Sequence, residues 1–146
     1  MSGVSKLGNN RYLATSKNVN RVLNQLNGIL ASDNITVQTV VPDASNNVNI
    51  TFANGNFVNV SLPTASTVYN FNITDAQKGK FYILISQPSL GSATIGTFTC
   101  PGTLYKINKS TTNYLLSTSG LYVDMLQFVG DGVNYYQTSS ILKNLG

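Results

Sequence analysis

Few side chains here can do proton chemistry. The acids are Asp33, Asp43, Asp75, Asp124 and Asp131, the one thiol is Cys100, and neither histidine nor glutamate occurs. General acid-base catalysis and metal binding draw mainly on His, Glu and Asp, so a catalytic or metal-holding cluster has almost no members to recruit. Glycoside hydrolysis needs two carboxylates across a cleft, and only the aspartates could supply them. Asp43, Asp75 and Asp131 sit in or beside turn sequences, where Asp ordinarily bonds nearby backbone N–H groups. Asp124 lies inside an alternating run, on the side of Leu126 and Phe128. That placement predicts a buried carboxylate satisfied by neighbouring backbone donors, with an isolated binding group as the competing reading. Cys100 has no His to activate it and no second cysteine in the chain to pair with. No Gly-rich loop opens a helix to cradle phosphate, and no loop is dense enough in acids for calcium. The residues point away from an enzyme and imply no metal and no cofactor.

Binding chemistry has more to work with. Eight Tyr and six Phe are enough to line a sugar platform, and Tyr105, Tyr114, Tyr135 and Tyr136 fall in or near loops of the later strands. These four are the ligand-facing candidates, set against the ordinary use of strand aromatics as core. The absence of Trp weakens the carbohydrate reading.

Charge is scarce and unevenly placed. Only 10% of residues are charged against 42% hydrophobic, where roughly 25% charged is usual for a soluble domain. Asn, Ser, Thr and Gly carry the polarity instead, and they favour strands, turns and caps over helices. The net charge of +4 resolves into Lys6, Arg11, Lys17 and Arg21 ahead of the first acid, after which five Lys balance five Asp. The excess belongs to the N-terminal arm. Four charges spread along the arm without an aromatic platform do not predict nucleic-acid binding. No apolar run is long enough to span a bilayer, so no membrane partner is expected. N-x-S/T triplets begin at Asn34, Asn49, Asn59, Asn72 and Asn108, about as many as this composition yields by chance.

These residues need elements to position them. Residues 1–16 show neither hydrophobic period and read as an extended arm. From Lys17 to Ala31 the apolar positions Val19, Val22, Leu23, Leu26, Ile29 and Leu30 follow a helical stripe, predicting one short amphipathic helix. With Asn20, Asn24, Asn27 and Gly28 in it, such a helix needs its stripe covered, by its own domain or by another chain. From Ile35 the period becomes two. Strands are expected over 35–41, 48–52, 58–62, 68–73, 81–86, 93–98, 104–107, 114–116, 121–129 and 133–138, with Asn54-Gly55 predicting a hairpin between the second and third. Short strands so spaced predict an all-β domain, an antiparallel two-sheet sandwich of jelly-roll-like kind. No internal repeat is visible. The chain thus divides into an arm with a helix (residues 1–34) and a β-sandwich domain (residues 35–146).

One resemblance runs through the second part. Gly55-Asn56-Phe57-Val58-Asn59-Val60-Ser61-Leu62, then Gly79-Lys80-Phe81-Tyr82-Ile83-Leu84-Ile85-Ser86-Gln87, Gly91-Ser92-Ala93-Thr94-Ile95, Val123-Asp124-Met125-Leu126-Gln127-Phe128, Gly130-Asp131-Gly132 and Tyr135-Tyr136 resemble, in order, a β-module of phage tail fibres and virion surface decorations. Phe98-Thr99-Cys100-Pro101 departs from it, standing where that module often carries a Trp. The resemblance implies a non-enzymatic virion structural protein, at the particle surface or in a tail appendage. It implies assembly as a homotrimer and with other virion proteins. A host glycan is the further partner implied if the module is an adhesin. The helix stripe is then the expected assembly surface.

Overall fold

The computed structural model describes residues 34–110 and 113–145, and the strands lie in the unit that begins at Ile35. The basic arm, the helix expected over 17–31 and its stripe of Val19, Val22, Leu23, Leu26, Ile29 and Leu30 lie outside the described residues.

Nine strands form among the described residues: β1 (Val37–Val40), β2 (Asn47–Ile50), β3 (Phe57–Ser61), β4 (Val68–Ile73), β5 (Lys78–Ser86), β6 (Thr94–Thr99), β7 (Leu104–Tyr105), β8 (Val123–Asp131) and β9 (Tyr135–Gln137). Among the described residues helix is confined to 3-10 turns at Phe52–Asn54 and Ile107–Lys109. The domain is all-β, as the period of two requires. Side chains alternate across each strand. Val48 and Ile50 of β2, Tyr69, Phe71 and Ile73 of β4, and Leu126 and Phe128 of β8 are buried, while Asn49, Asn72 and Gln127 between them point outward.

The strands form two sheets, one ordered β1-β3-β5-β8-β9-β7 and the other β2-β4-β6. Up to β6 each successive strand enters the opposite sheet, so the chain winds around the core and lays each strand parallel to the one two before it. Val37 pairs with Phe57 and Phe57 with Tyr82; Asn47 pairs with Asn70 and Val68 with Thr94. One winding therefore takes roughly 20 to 26 residues, the spacing of solenoid-like stacking. The antiparallel, jelly-roll-like arrangement expected above is corrected: β5–β8 and β8–β9 are antiparallel, while the other ladders are parallel. A period of two is the same in both directions of pairing, which is why the pattern could not choose between them.

The Asn54-Gly55 hairpin is corrected as well, since β2 and β3 lie in different sheets. The carboxylate of Asp75 accepts the backbone N–H groups of Phe52 (2.8 Å) and Ala53 (2.9 Å). Gly55 N then donates to Phe52 O (3.1 Å). These bonds make a corner instead of a two-strand turn, and Phe52 tucks into the core against Phe81, ring centroids 4.3 Å apart.

The winding exposes a repeat. Asn47-Val48-Asn49-Ile50-Thr51 and Asn70-Phe71-Asn72-Ile73-Thr74 stack in register. Outside, Asn72 Nδ2 donates to Asn49 Oδ1 (3.1 Å), Thr99 Oγ1 donates to Asn72 Oδ1 (2.7 Å), and the Thr51 and Thr74 hydroxyls are 2.7 Å apart. Inside, Val48 meets Phe71 and Ile50 meets Ile73. Such amide and hydroxyl ladders hold parallel, in-register strands together.

After β6 the winding is closed. β8 runs back along the whole of β5, and Gly130 sits so close to the Gln77 carbonyl and the Tyr135 ring that a Cβ there has no room. The segment Tyr114–Leu116, expected as a strand, is not one; both ends of it are buried all the same. The C-terminal tail extends the free edge of β8, with Leu142 exchanging both backbone bonds with Met125 and Leu145 N donating to Val123 O (2.7 Å).

Candidate functional site: an exposed tyrosine pair and a neighbouring groove

The four tyrosines singled out by sequence separate cleanly. Tyr135 is fully buried at 0% and Tyr114 is buried at 7%, whereas Tyr105 and Tyr136 are 49% and 38% exposed. Tyr135 is corrected from ligand-facing to core. Its hydroxyl accepts from Gln77 N (2.9 Å) and donates to Asp75 O (2.9 Å), tying β9 to the turn before β5. Tyr114 packs edge-on against Phe98 at 5.1 Å, and burial pushes its phenol well above the ordinary tyrosine range. It stays a hydroxyl donor at every physiological pH.

Tyr105 and Tyr136 come together on the outer face of the six-stranded sheet. β7 and β9 pair in parallel with Tyr105 opposite Tyr136. Their rings stack at 4.8 Å and 5°, which places two aromatic bodies upright at the sheet margin. Asp131 sets the position of the second ring. Its Oδ1 accepts from Val133 N (2.8 Å) and Asn134 N (2.7 Å), and its Oδ2 accepts from the Tyr136 hydroxyl (2.9 Å). The Asn134 and Val133 N–H groups, followed by the Tyr136 hydroxyl, hold its carboxyl down at about 2, so this anchor remains ionised across the range in which a protein works. Beside the pair on the same face, Lys80, Tyr82, Gln127, Val129 and Thr138 line a shallow recess of about 230 Å³.

A second concavity opens near Tyr114, between Lys106 and Lys143, with a volume of about 480 Å³. Gln137 Oε1 accepts from Ile107 N (3.3 Å) and from the Tyr114 hydroxyl (3.4 Å), which fixes two of its walls. The Lys106 ammonium stands 4.7 Å from the centre of the Tyr114 ring. Sequence reading missed this groove because its polar members, Lys106, Asn113, Gln137 and Lys143, carry no motif. Only the packing of the stretch after β7 against the C-terminal tail gathers them.

The described carboxylates are occupied with structure. Asp43 accepts from Ser45 N (2.8 Å) and Asn47 N (2.9 Å), and these bonds lower its pKa, the Asn47 N–H most. Asp75 holds the corner at Phe52. Asp124 is 1% exposed and accepts from Ser117 N (2.5 Å), Ser117 Oγ (2.6 Å) and Asn144 N (3.0 Å). That is the buried, backbone-satisfied carboxylate its place in the strand predicts. Among the described residues no group of His, Cys, Asp or Glu is arranged to hold a metal, and no helix is long and apolar enough to cross a membrane.

These features define an all-β domain wound through two sheets, whose exposed chemistry among the described residues lies in aromatic rings, amides, hydroxyls and a few lysines. No family model matches the chain, and neither a curated protein nor a solved structure resembles it significantly.

Proposed function

We propose that the chain is a non-enzymatic structural protein of a virus particle, a tail-fibre or capsid-decoration module, assembling with copies of itself as a trimer and with other particle proteins. The observation that carries this reading is how the chain uses its acids: each described aspartate holds backbone N–H groups at a corner, a turn or the tail. Where the described carboxylates serve folding, the surface is left for contact. The segments of the phage-module resemblance support it, since Gly55–Leu62, Gly79–Gln87 and Val123–Phe128 fall on β3, β5 and β8, which are neighbours in one sheet. Rows of neutral Asn and Thr suit broad protein interfaces, because few charges are desolvated on contact.

In this reading the stripe Val19, Val22, Leu23, Leu26, Ile29 and Leu30 mediates assembly. Light scattering of the full chain is expected to give the mass of a trimer, and the double substitution Leu23→Asp/Leu26→Asp is expected to reduce it to that of a single chain. A monomeric full chain would end the assembly reading.

A second reading, a carbohydrate-binding adhesin, is favoured by one specific observation: Tyr105 and Tyr136 are stacked, exposed and braced by Asp131. Upright rings offer flat apolar faces to sugar C–H groups. Glycan-array hits are then expected to vanish in Tyr105→Ala and in Tyr136→Ala; hits that persist in both variants would move recognition off the pair.

A further inference from the structure

We infer that the outer edge of β2 is a latent pairing surface for the β2 of a second copy, and that Asp43 keeps it shut. This edge is separate from the Val19–Leu30 stripe on which the assembly reading rests.

Among the described residues β2 is the outer strand of the three-stranded sheet. In its parallel ladder with β4, Asn70 N donates to Asn46 O (3.0 Å) and Thr74 N donates to Ile50 O (2.8 Å). Alternate residues of a strand turn their backbone groups to opposite sides, so Asn47, Asn49 and Thr51 present theirs to the edge. The segment Asn47–Phe52 has no charge, proline or glycine and contains the β-formers Val48, Ile50, Thr51 and Phe52. Such segments recruit further copies of themselves. This one already makes that kind of contact within the chain, stacked in register on Asn70–Thr74 with Asn72 Nδ2 bonded to Asn49 Oδ1. Its edge is self-complementary as well. Across a twofold axis at Asn49, Asn47 of one copy meets Thr51 of the other, and the contact closes on itself as a pair.

Asp43 denies a partner this edge. Its Oδ1 accepts from Asn47 N (2.9 Å), and its own N–H donates to Asn47 O (2.9 Å). Its Oδ2 takes the side-chain amides of Asn47 (3.3 Å) and Asn49 (3.4 Å), and the Ser45 N–H (2.8 Å) fixes the loop in this shape. The carboxylate also sets a negative charge where a second copy would bring its own, and charge at an edge opposes pairing. Gln38 closes the far end, its Nε2 donating to Thr51 O (3.0 Å). Both backbone groups of Asn47 and the carbonyl of Thr51 are thus engaged, so a partner strand cannot pair along the three positions.

The test is light scattering of the full chain together with hydrogen exchange read residue by residue. Asp43→Ala is expected to double the mass found for the unsubstituted chain. It is also expected to slow exchange at the Asn49 amide about tenfold, the worth of one hydrogen bond gained across the pair. Asp43→Asn keeps an oxygen for the Ser45 and Asn47 N–H groups and is expected to keep the mass of the unsubstituted chain. An unchanged mass in Asp43→Ala would overturn the latent edge. So would association that leaves the Asn49 amide exchanging as before, or that is equally extensive in Asp43→Asn. Loss of protection at the Thr74 amide, inside the β2–β4 ladder, would overturn it too, by showing that Asp43 holds the fold and not the edge.

Discussion

Asp124→Ala is expected to lower the free energy of unfolding by about 3–5 kcal/mol, because three hydrogen bonds to one charged acceptor, each worth about 1.5–3 kcal/mol and not fully additive, are lost together. The carboxylate is 1% exposed and receives three donors, from Ser117 N, Ser117 Oγ and Asn144 N. Removal leaves the half-buried Ser117 donors and the Asn144 N–H without their acceptor, and a donor left unsatisfied away from water costs about 1–3 kcal/mol. The loss is also topological. Asp124 joins three pieces of chain: β8 itself, the irregular segment before it and the tail whose Leu142 and Leu145 pair with Met125 and Val123. Urea unfolding gives the stability change, and hydrogen exchange at the Leu142 and Leu145 amides reports whether the tail comes loose first. A shift in stability below about 1 kcal/mol, with tail protection intact, would show that the carboxylate is not the clasp. Asp124→Asn separates charge from shape: its amide NH₂ would face donors, so much of the loss should remain.

Phe71→Ala is expected to cost about 3–5 kcal/mol, the usual range for deleting a fully buried aromatic ring. Phe71 is 0% exposed on the central strand of the three-stranded sheet. It meets Val48 on one side and stacks with Phe98 on the other at 5.8 Å. With ladders on both flanks the backbone cannot close in on the cavity, so the upper part of the range applies. Val68, on the same strand, is 55% exposed, and Val68→Thr is expected to stay within about 0.5 kcal/mol. The pair reads register directly, because a slip by one residue exchanges the two faces. Equal effects at both positions in urea unfolding would reject the pairing of β4 with β2 and β6.

Much of this molecule is written locally. The alternation of Val48, Ile50, Val58, Val60, Ile83, Ile85, Leu126 and Phe128 with polar or less buried neighbours marks the strands and which side of each faces the core, because side-chain direction along a strand depends on nothing beyond the strand. The structural role of Asp124 follows in the same way. So does the opposite fate of Tyr135 and Tyr136, since adjacent residues cannot share a face. Which of the two is buried is another matter: it depends on the Asp75 carbonyl and Gln77 amide reached by the Tyr135 hydroxyl, far away in sequence. The repeat of Asn47–Thr51 in Asn70–Thr74 was open to inspection but took its meaning only from stacking, as each half looks like ordinary low-complexity strand.

What the chain's order of residues determined is therefore the class of fold, the inward faces, the turns and the poverty of catalytic groups, all properties of short stretches. Tertiary structure alone decided the direction of pairing, the corner that replaced the Asn54-Gly55 hairpin, the stack of Tyr105 on Tyr136 and the gathering of Lys106, Gln137 and Lys143 around one groove. The physical reason is that a period of two says which face a side chain takes and is silent about its partner strand. Partners are chosen by long-range bonds such as Asp75 to Phe52, which only the folded chain can make.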